Sequence, residues 1–189
     1  MTQASSNLYN ETATAQGYAG NGSDYDSEGY HPEVAAGSAD PAHAYLWDKL
    51  ALRGTSFRNY GQFVVPSDWI KPGEPIKAEA GKYYAHDPIL DANTNHDYPW
   101  FDMAISDQTR FDIWYKDFQS FVANNNLPAM QFIDLPRDHT AGAQTAKELV
   151  ADNDLALGRI VDAVSHSQYW KDTAIFFVVE DDARMGRIT

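Results

Sequence analysis

The chain has 189 residues, 43% hydrophobic and 13% aromatic, which is enough to bury a real core and excludes a wholly disordered protein. Its formal net charge of −13 excludes the basic, phosphate-tracking surface that nucleic-acid binding requires, while its carboxylates suit a divalent metal. It contains no cysteine, so disulfides, zinc–thiolate centres and cysteine nucleophiles are ruled out.

Residues 1–40 are rich in Ser, Gly, Asn, Asp, Ala and Tyr without a sustained period, and read as an irregular lead-in. The opening MTQASSNLYNETATAQG has neither the basic nor the apolar region of a signal peptide. No segment reaches the roughly 18 apolar residues of a membrane span. Residues 41–189 form the ordered part. Asp40 and Pro41 are a helix N-cap and first position, Gly54 is a C-terminal cap, and Tyr45, Leu46 and Leu50 are the buried side between them. Ser56–Val65 reads as one strand, with Phe57, Phe63 and Val65 apolar. The Pro-, Gly- and Asp-rich stretch from Pro66 to Pro99 is a long connection of the kind that lies over functional sites.

Ser106 or Asp107 caps a second helix, on which Phe111, Trp114, Tyr115, Phe118, Phe121 and Val122 recur at helical spacing as core. Ala129–Leu135 is a short apolar strand ended by Pro136. Thr145 and Glu148 form a capping box that opens a long helix, with Leu149, Leu157, Ile160, Val161 and Val164 on its apolar side. Within it, Asp152-Asn153-Asp154 reads as a solvated face or as a break near a site, the former being favoured. After a turn at Trp170–Thr173, the continuous apolar run Ala174–Val179 predicts a strand covered on both faces. Strand, helix and strand predict a right-handed βαβ unit in an α/β fold.

Ligands of open parallel sheets bind beyond the carboxyl ends of the strands. The first strand of this unit runs into Arg137-Asp138-His139-Thr140, and the second into Glu180-Asp181-Asp182. Adjacent carboxylates repel, so a partly buried pair calls for a cation or a shared proton. A divalent metal held by Asp181 and Asp182, with the imidazole of His139 beside it, suits metal-assisted hydrolysis of an ester, most naturally a phosphoester. The same residues also fit plainer roles, Asp138 as turn chemistry and Asp181-Asp182 as a helix cap. His31, His43, His86, His96 and His166 show no ligand spacing.

The segments LPRDHTAG and ADNDLALGRIVDAVSHSQYWKDTAIFFVVEDDA closely resemble the bacterial phosphoesterase family, which includes phosphatidylcholine-type phospholipases C and acid phosphatases of the alkaline-phosphatase-like superfamily. AYLWDKLALRGTSFRNYGQFV and WYKDFQSFVANNNLPAMQFIDLP resemble the same group, so the likeness spans residues 42–65 and 97–183. It implies helices flanking a mostly parallel sheet, divalent-metal-dependent hydrolysis of phosphate mono- or diesters, and a phosphoester small molecule or phospholipid head group as substrate. By the same resemblance Asp181 and Asp182 become metal ligands and His139 an active-site histidine, with Asp138 accompanying it. Export of a full-length parent is a habit of the family, and oligomeric state is left open.

The chain departs from the family pattern in lacking the early Glu-Asn motif and the hydroxyl nucleophile, and in ending ARMGRIT where members continue with a histidine-bearing GPDHVDxHR. Deleting one C from GGC-CCG-GAT-CAC-G turns Gly-Pro-Asp-His into Gly186-Arg187-Ile188-Thr189. The expectation is therefore a C-terminal portion truncated at both ends. Its alternative is a non-catalytic remnant, or a module that binds metal or a partner.

Overall fold

The computed structural model describes residues 45–70, 76–140 and 144–178. They fall into two compact units, one comprising residues 45–100 with 128–133 and the other residues 101–127 with 134–178. The class is α/β: helices accompany a small, partly parallel sheet structure.

The first unit opens with helix α1 (Leu46–Leu52). The expected start at Asp40-Pro41 lies outside the described residues, and Tyr45 is extended, so the helix cannot run through it. Asp48, three positions into the helix, instead accepts the Tyr45 N–H at 3.0 Å and caps this end. Gly54 follows the helix at φ +64°, a left-handed conformation that suits glycine, as the sequence predicts. The buried side is Tyr45 and Trp47, with Leu46 and Leu50 half-buried.

The expected single strand over Ser56–Val65 is two: β1 (Phe57–Tyr60) and β2 (Val64–Pro66). Between them Gly61 and Phe63 both take positive φ, at 91° and 53°. The Asn59 carboxamide closes the turn by accepting the Gln62 N–H at 3.1 Å and donating to the Gln62 carbonyl at 2.9 Å. A periodic apolar pattern does not register a side chain that bonds its own backbone three residues on.

Nor is the stretch from Pro66 to Pro99 structureless. It carries a 3-10 turn (Ser67–Trp69), strand β3 (Tyr83–Ala85) and a short helix α2 (Pro88–Asp91) capped by Asp87. β3 pairs antiparallel with β2. β1 pairs in parallel with β4 (Met130–Ile133), Phe57 opposite Met130 through Tyr60 opposite Ile133. The expected mostly parallel sheet is thus, among the described residues, one parallel and one antiparallel two-stranded ladder. Tyr45, Trp47, Phe57, Phe63, Val64, Ala85 and Leu90 form the core of this unit.

In the second unit, α3 (Asp107–Asn124) starts where expected: the Ser106 hydroxyl accepts the Gln108 N–H at 3.0 Å. Phe111, Trp114 and Phe118 are buried, and Trp114 stacks on Phe118 at 4.8 Å. The helix α4 (Ala146–Ser165) opens with the predicted box, Glu148 N–H to Thr145 Oγ1 at 3.3 Å and Thr145 N–H to Glu148 Oε2 at 2.9 Å. Leu149, Ala156, Ile160 and Val164 line its buried side, and α4 packs on α3.

Two glycines should respond to alanine with opposite signs, although an added methyl at either would meet no atom within 4 Å beyond its chain neighbours and, in α4, the helix's own backbone. Gly54→Ala should destabilise by about 1 kcal/mol, through left-handed strain alone. Gly158→Ala, in the exposed interior of α4, should stabilise by about 0.5–1 kcal/mol by removing backbone freedom from the unfolded chain. Urea titrations of the two variants check both signs.

The last expected element, a strand over Ala174–Val179, is not formed over the described residues 174–178. Residues 174–178 pair with no strand, and Phe176, Phe177 and Val178 are 84%, 57% and 58% exposed. The partner of β4 is the earlier strand β1, so the predicted unit of β4, α4 and a final strand is absent among the described residues. A run of consecutive apolar residues becomes a strand only when neighbours supply both hydrogen bonds and cover, and the described residues supply neither.

The turn carrying His139 and its supports

Pro136–His139 forms a 3-10 turn that begins three residues after β4 ends. Proline suits its first position because it needs no partner for an N–H. The turn is a single short 3-10 segment whose cap is the Thr140 N–H on the Arg137 carbonyl at 3.3 Å. Thr140 itself sits at φ +54°, an unusual conformation for a β-branched residue. Strain of this kind, of order 1–3 kcal/mol, persists where surrounding contacts impose it and is common beside functional groups.

The sequence pairs His139 with Asp138, and the structure brings them together. His139 Nδ1 lies 3.1 Å from the Pro136 carbonyl oxygen and 3.2 Å from Asp138 Oδ1. Both neighbours are acceptors, so in the neutral ring Nδ1 carries the proton and Nε2 is the basic nitrogen. Phe101 meets the imidazole edge to face at 4.7 Å. The histidine side chain is 28% exposed, within reach of a small solute.

The turn is held by polar groups from the first turn of α3 and the second turn of α4. Arg137 Nη1 donates to Asp152 Oδ2 at 2.9 Å, and the Arg137 N–H reaches Asp107 Oδ2 at 3.3 Å. Asn153 Nδ2 donates to the Leu135 carbonyl at 2.7 Å and to Asp107 Oδ2 at 3.0 Å. Asp152 also accepts from the Ser106 hydroxyl and from the Asp107 N–H, at 3.0 and 2.7 Å. Asp107 and Arg110 form an ion pair at 3.1 Å with both side chains fully buried, and Arg110 further donates to the Ile105 and Asp102 carbonyls.

The two carboxylates of this network differ in their electrostatics. Burial pushes Asp107 above the usual carboxylate range, against the opposing bonds from Asn153, Arg110 and Arg137. Burial also pushes Asp152 upward, but the hydrogen bonds from Arg137, Asp107 and Ser106 outweigh it and hold the group below that range.

Sequence reasoning missed this network. Asp152-Asn153, favoured as a solvated face, is half-buried and turned onto the turn and the start of α3, and only Asp154 is exposed. Asp107 was expected as a cap, and Arg110 went unnoticed. One signal was present: two poor helix formers in succession inside an otherwise strong helix pattern. Asp181 and Asp182, the expected metal ligands, lie outside the described residues. Among the described residues no group of three or more histidines and carboxylates is placed to hold a metal ion. None of their helices is long and apolar enough to cross a membrane. Compared with known proteins, the chain matches no family model, no curated protein and no solved structure.

Proposed function

We propose that this chain is part of a metal-dependent phosphoesterase of alkaline-phosphatase-like fold that hydrolyses phosphate mono- or diesters. The observation that carries this reading is the Arg137-Asp138-His139-Thr140 turn. It follows a strand of a parallel pair and presents a half-buried imidazole with Nδ1 between two acceptors. Such a ring can donate to a phosphoryl oxygen or a leaving group when protonated. Asp181 and Asp182 are the proposed ligands of the divalent metal, which would act as Lewis acid for the ester. A phosphoester small molecule or a phospholipid head group is the substrate class.

A second reading is a non-catalytic remnant or module, favoured by the uncovered Phe176–Val178 run. Release of nitrophenolate from bis(p-nitrophenyl) phosphate by the full chain separates the two readings. Slow hydrolysis that needs a divalent metal and is lost with chelator, with Asp182→Ala or with His139→Ala, would support the phosphoesterase reading. A cooperatively folded chain that stays at the buffer rate would instead be a module, and an aggregating chain a remnant.

A further inference from the structure

We infer that Asp152 and Asn153, on the second turn of α4, are positioning residues that hold His139 by clamping both flanks of Pro136 to the first turn of α3. The role of His139 rests on the phosphoesterase reading, whereas the clamp is a property of the chain itself.

A lone four-residue 3-10 turn is too short to fix its own shape, so its geometry must come from outside. Asn153 takes the carbonyl before the turn, that of Leu135, and Asp152 takes the guanidinium of the second turn residue, Arg137. The same two side chains reach the start of α3, Asn153 through the Asp107 carboxylate and Asp152 through the Asp107 N–H and the Ser106 hydroxyl. Asp107 then accepts the Arg137 N–H, which closes the circuit. Asp and Asn are poor helix formers, and both turn inward here while the equally poor Asp154 faces solvent. His139 inherits the result, because its Nδ1 bonds to the Pro136 carbonyl that the clamp holds still. An imidazole displaced by about 1 Å from a reacting centre loses roughly 100-fold in rate.

The edge-to-face contact with Phe101 gives this idea a readout that needs no catalysis. Ring current should displace the His139 imidazole proton resonances from their free-histidine positions, with His139→Gln identifying the peaks. Asp152→Asn and Asn153→Ala should each move these resonances at least halfway back while helix content is retained, and Asp154→Asn should leave them in place. Retained helix content with unmoved resonances in both clamp variants would overturn the inference.

Should either substitution melt the helix pair, the wild-type chain decides. Its Arg137 guanidinium protons should exchange with solvent at least 10-fold more slowly than those of an exposed arginine, and equal rates would sink the clamp. The two proposals fail separately. A moved resonance in a chain with no hydrolysis would sink the phosphoesterase reading alone, and hydrolysis with unmoved resonances would sink the clamp alone.

Discussion

Replacing Arg110 with methionine is expected to cost about 3–5 kcal/mol, read as a fall in the urea midpoint of the full chain at neutral pH. Methionine fills much of the space, so the loss comes from charge. The Asp107 carboxylate keeps Asn153 and the Arg137 N–H but loses the Arg110 guanidinium in a place with no solvent exposure. The Ile105 and Asp102 carbonyls lose their donor as well. The pH dependence identifies the cause. The pKa of Asp107 is already raised by burial in the wild type, so the folded chain binds this proton more tightly than the unfolded chain, whose value is about 3.9. Its contribution to stability is therefore greatest below that pH and declines as pH rises through the folded value. Removing Arg110 takes away a lowering influence and widens the window, so the deficit should shrink as pH falls toward about 4. The double variant with Asp107→Asn should recover much of the loss, since a neutral amide has no charge to strand. A deficit independent of pH, and unrelieved by the second substitution, would point to lost packing instead.

Asp152 carries the opposite sign. Its folded pKa lies below the unfolded value, so its stabilisation is present above about pH 4 and is lost as pH falls through the folded value. The penalty of Asp152→Asn should thus be largest at neutral pH and fade in acid. The two carboxylates share one network, yet acid titration of single variants distinguishes them by the shape of their losses.

What the sequence made legible follows how each element is specified. Helices α3 and α4 were readable because their signals are local: Ser106 and Thr145 with Glu148 mark the starts, and aromatic or aliphatic residues recur at helical spacing. The break between β1 and β2 was not, because it depends on Asn59 bonding to Gln62 and on positive φ at Phe63, which hydrophobic period does not encode. The unpaired run after Thr173 shows the converse. AIFFV, residues 174–178, has every local mark of a buried strand, but strands are made by partners, and a partner is not a local property. Of the candidate site, the Asp138–His139 pair was visible as adjacent functional groups after a strand. Its supports come from Asp107, Asp152 and Asn153, which are 31, 13 and 14 residues from Asp138 or His139 at the nearest. Only the fold brings such distant groups together, and a polar residue inside an amphipathic helix is more often solvated than engaged.

Trp47→Ala is the second large effect expected, about 3–5 kcal/mol, measured by urea unfolding followed by far-ultraviolet circular dichroism because the substitution removes a fluorophore. Trp47 has no exposed surface and joins the parts of the first unit. It stacks on Tyr45 at 4.6 Å and meets Phe63 and Phe132 edge to face at 5.6 and 6.5 Å. Alanine would leave a cavity bounded by these rings, and rings held at a helix cap, a turn and a strand cannot all move into it. The indole N–H adds a separable part. It donates to Asp87 Oδ2 at 3.1 Å, while the other oxygen of that carboxylate caps α2 by accepting from Ile89 and Leu90. Trp47→Phe keeps most of the packing and removes the donor, so it should cost less, about 1–3 kcal/mol. In a double-mutant cycle with Asp87→Asn, the losses from Trp47→Phe should fall short of additive, whereas those from Trp47→Ala should stay dominated by the cavity. Equal costs for phenylalanine and alanine would mean that the hydrogen bond to Asp87, and not the aromatic cluster, is what α1 contributes to this core.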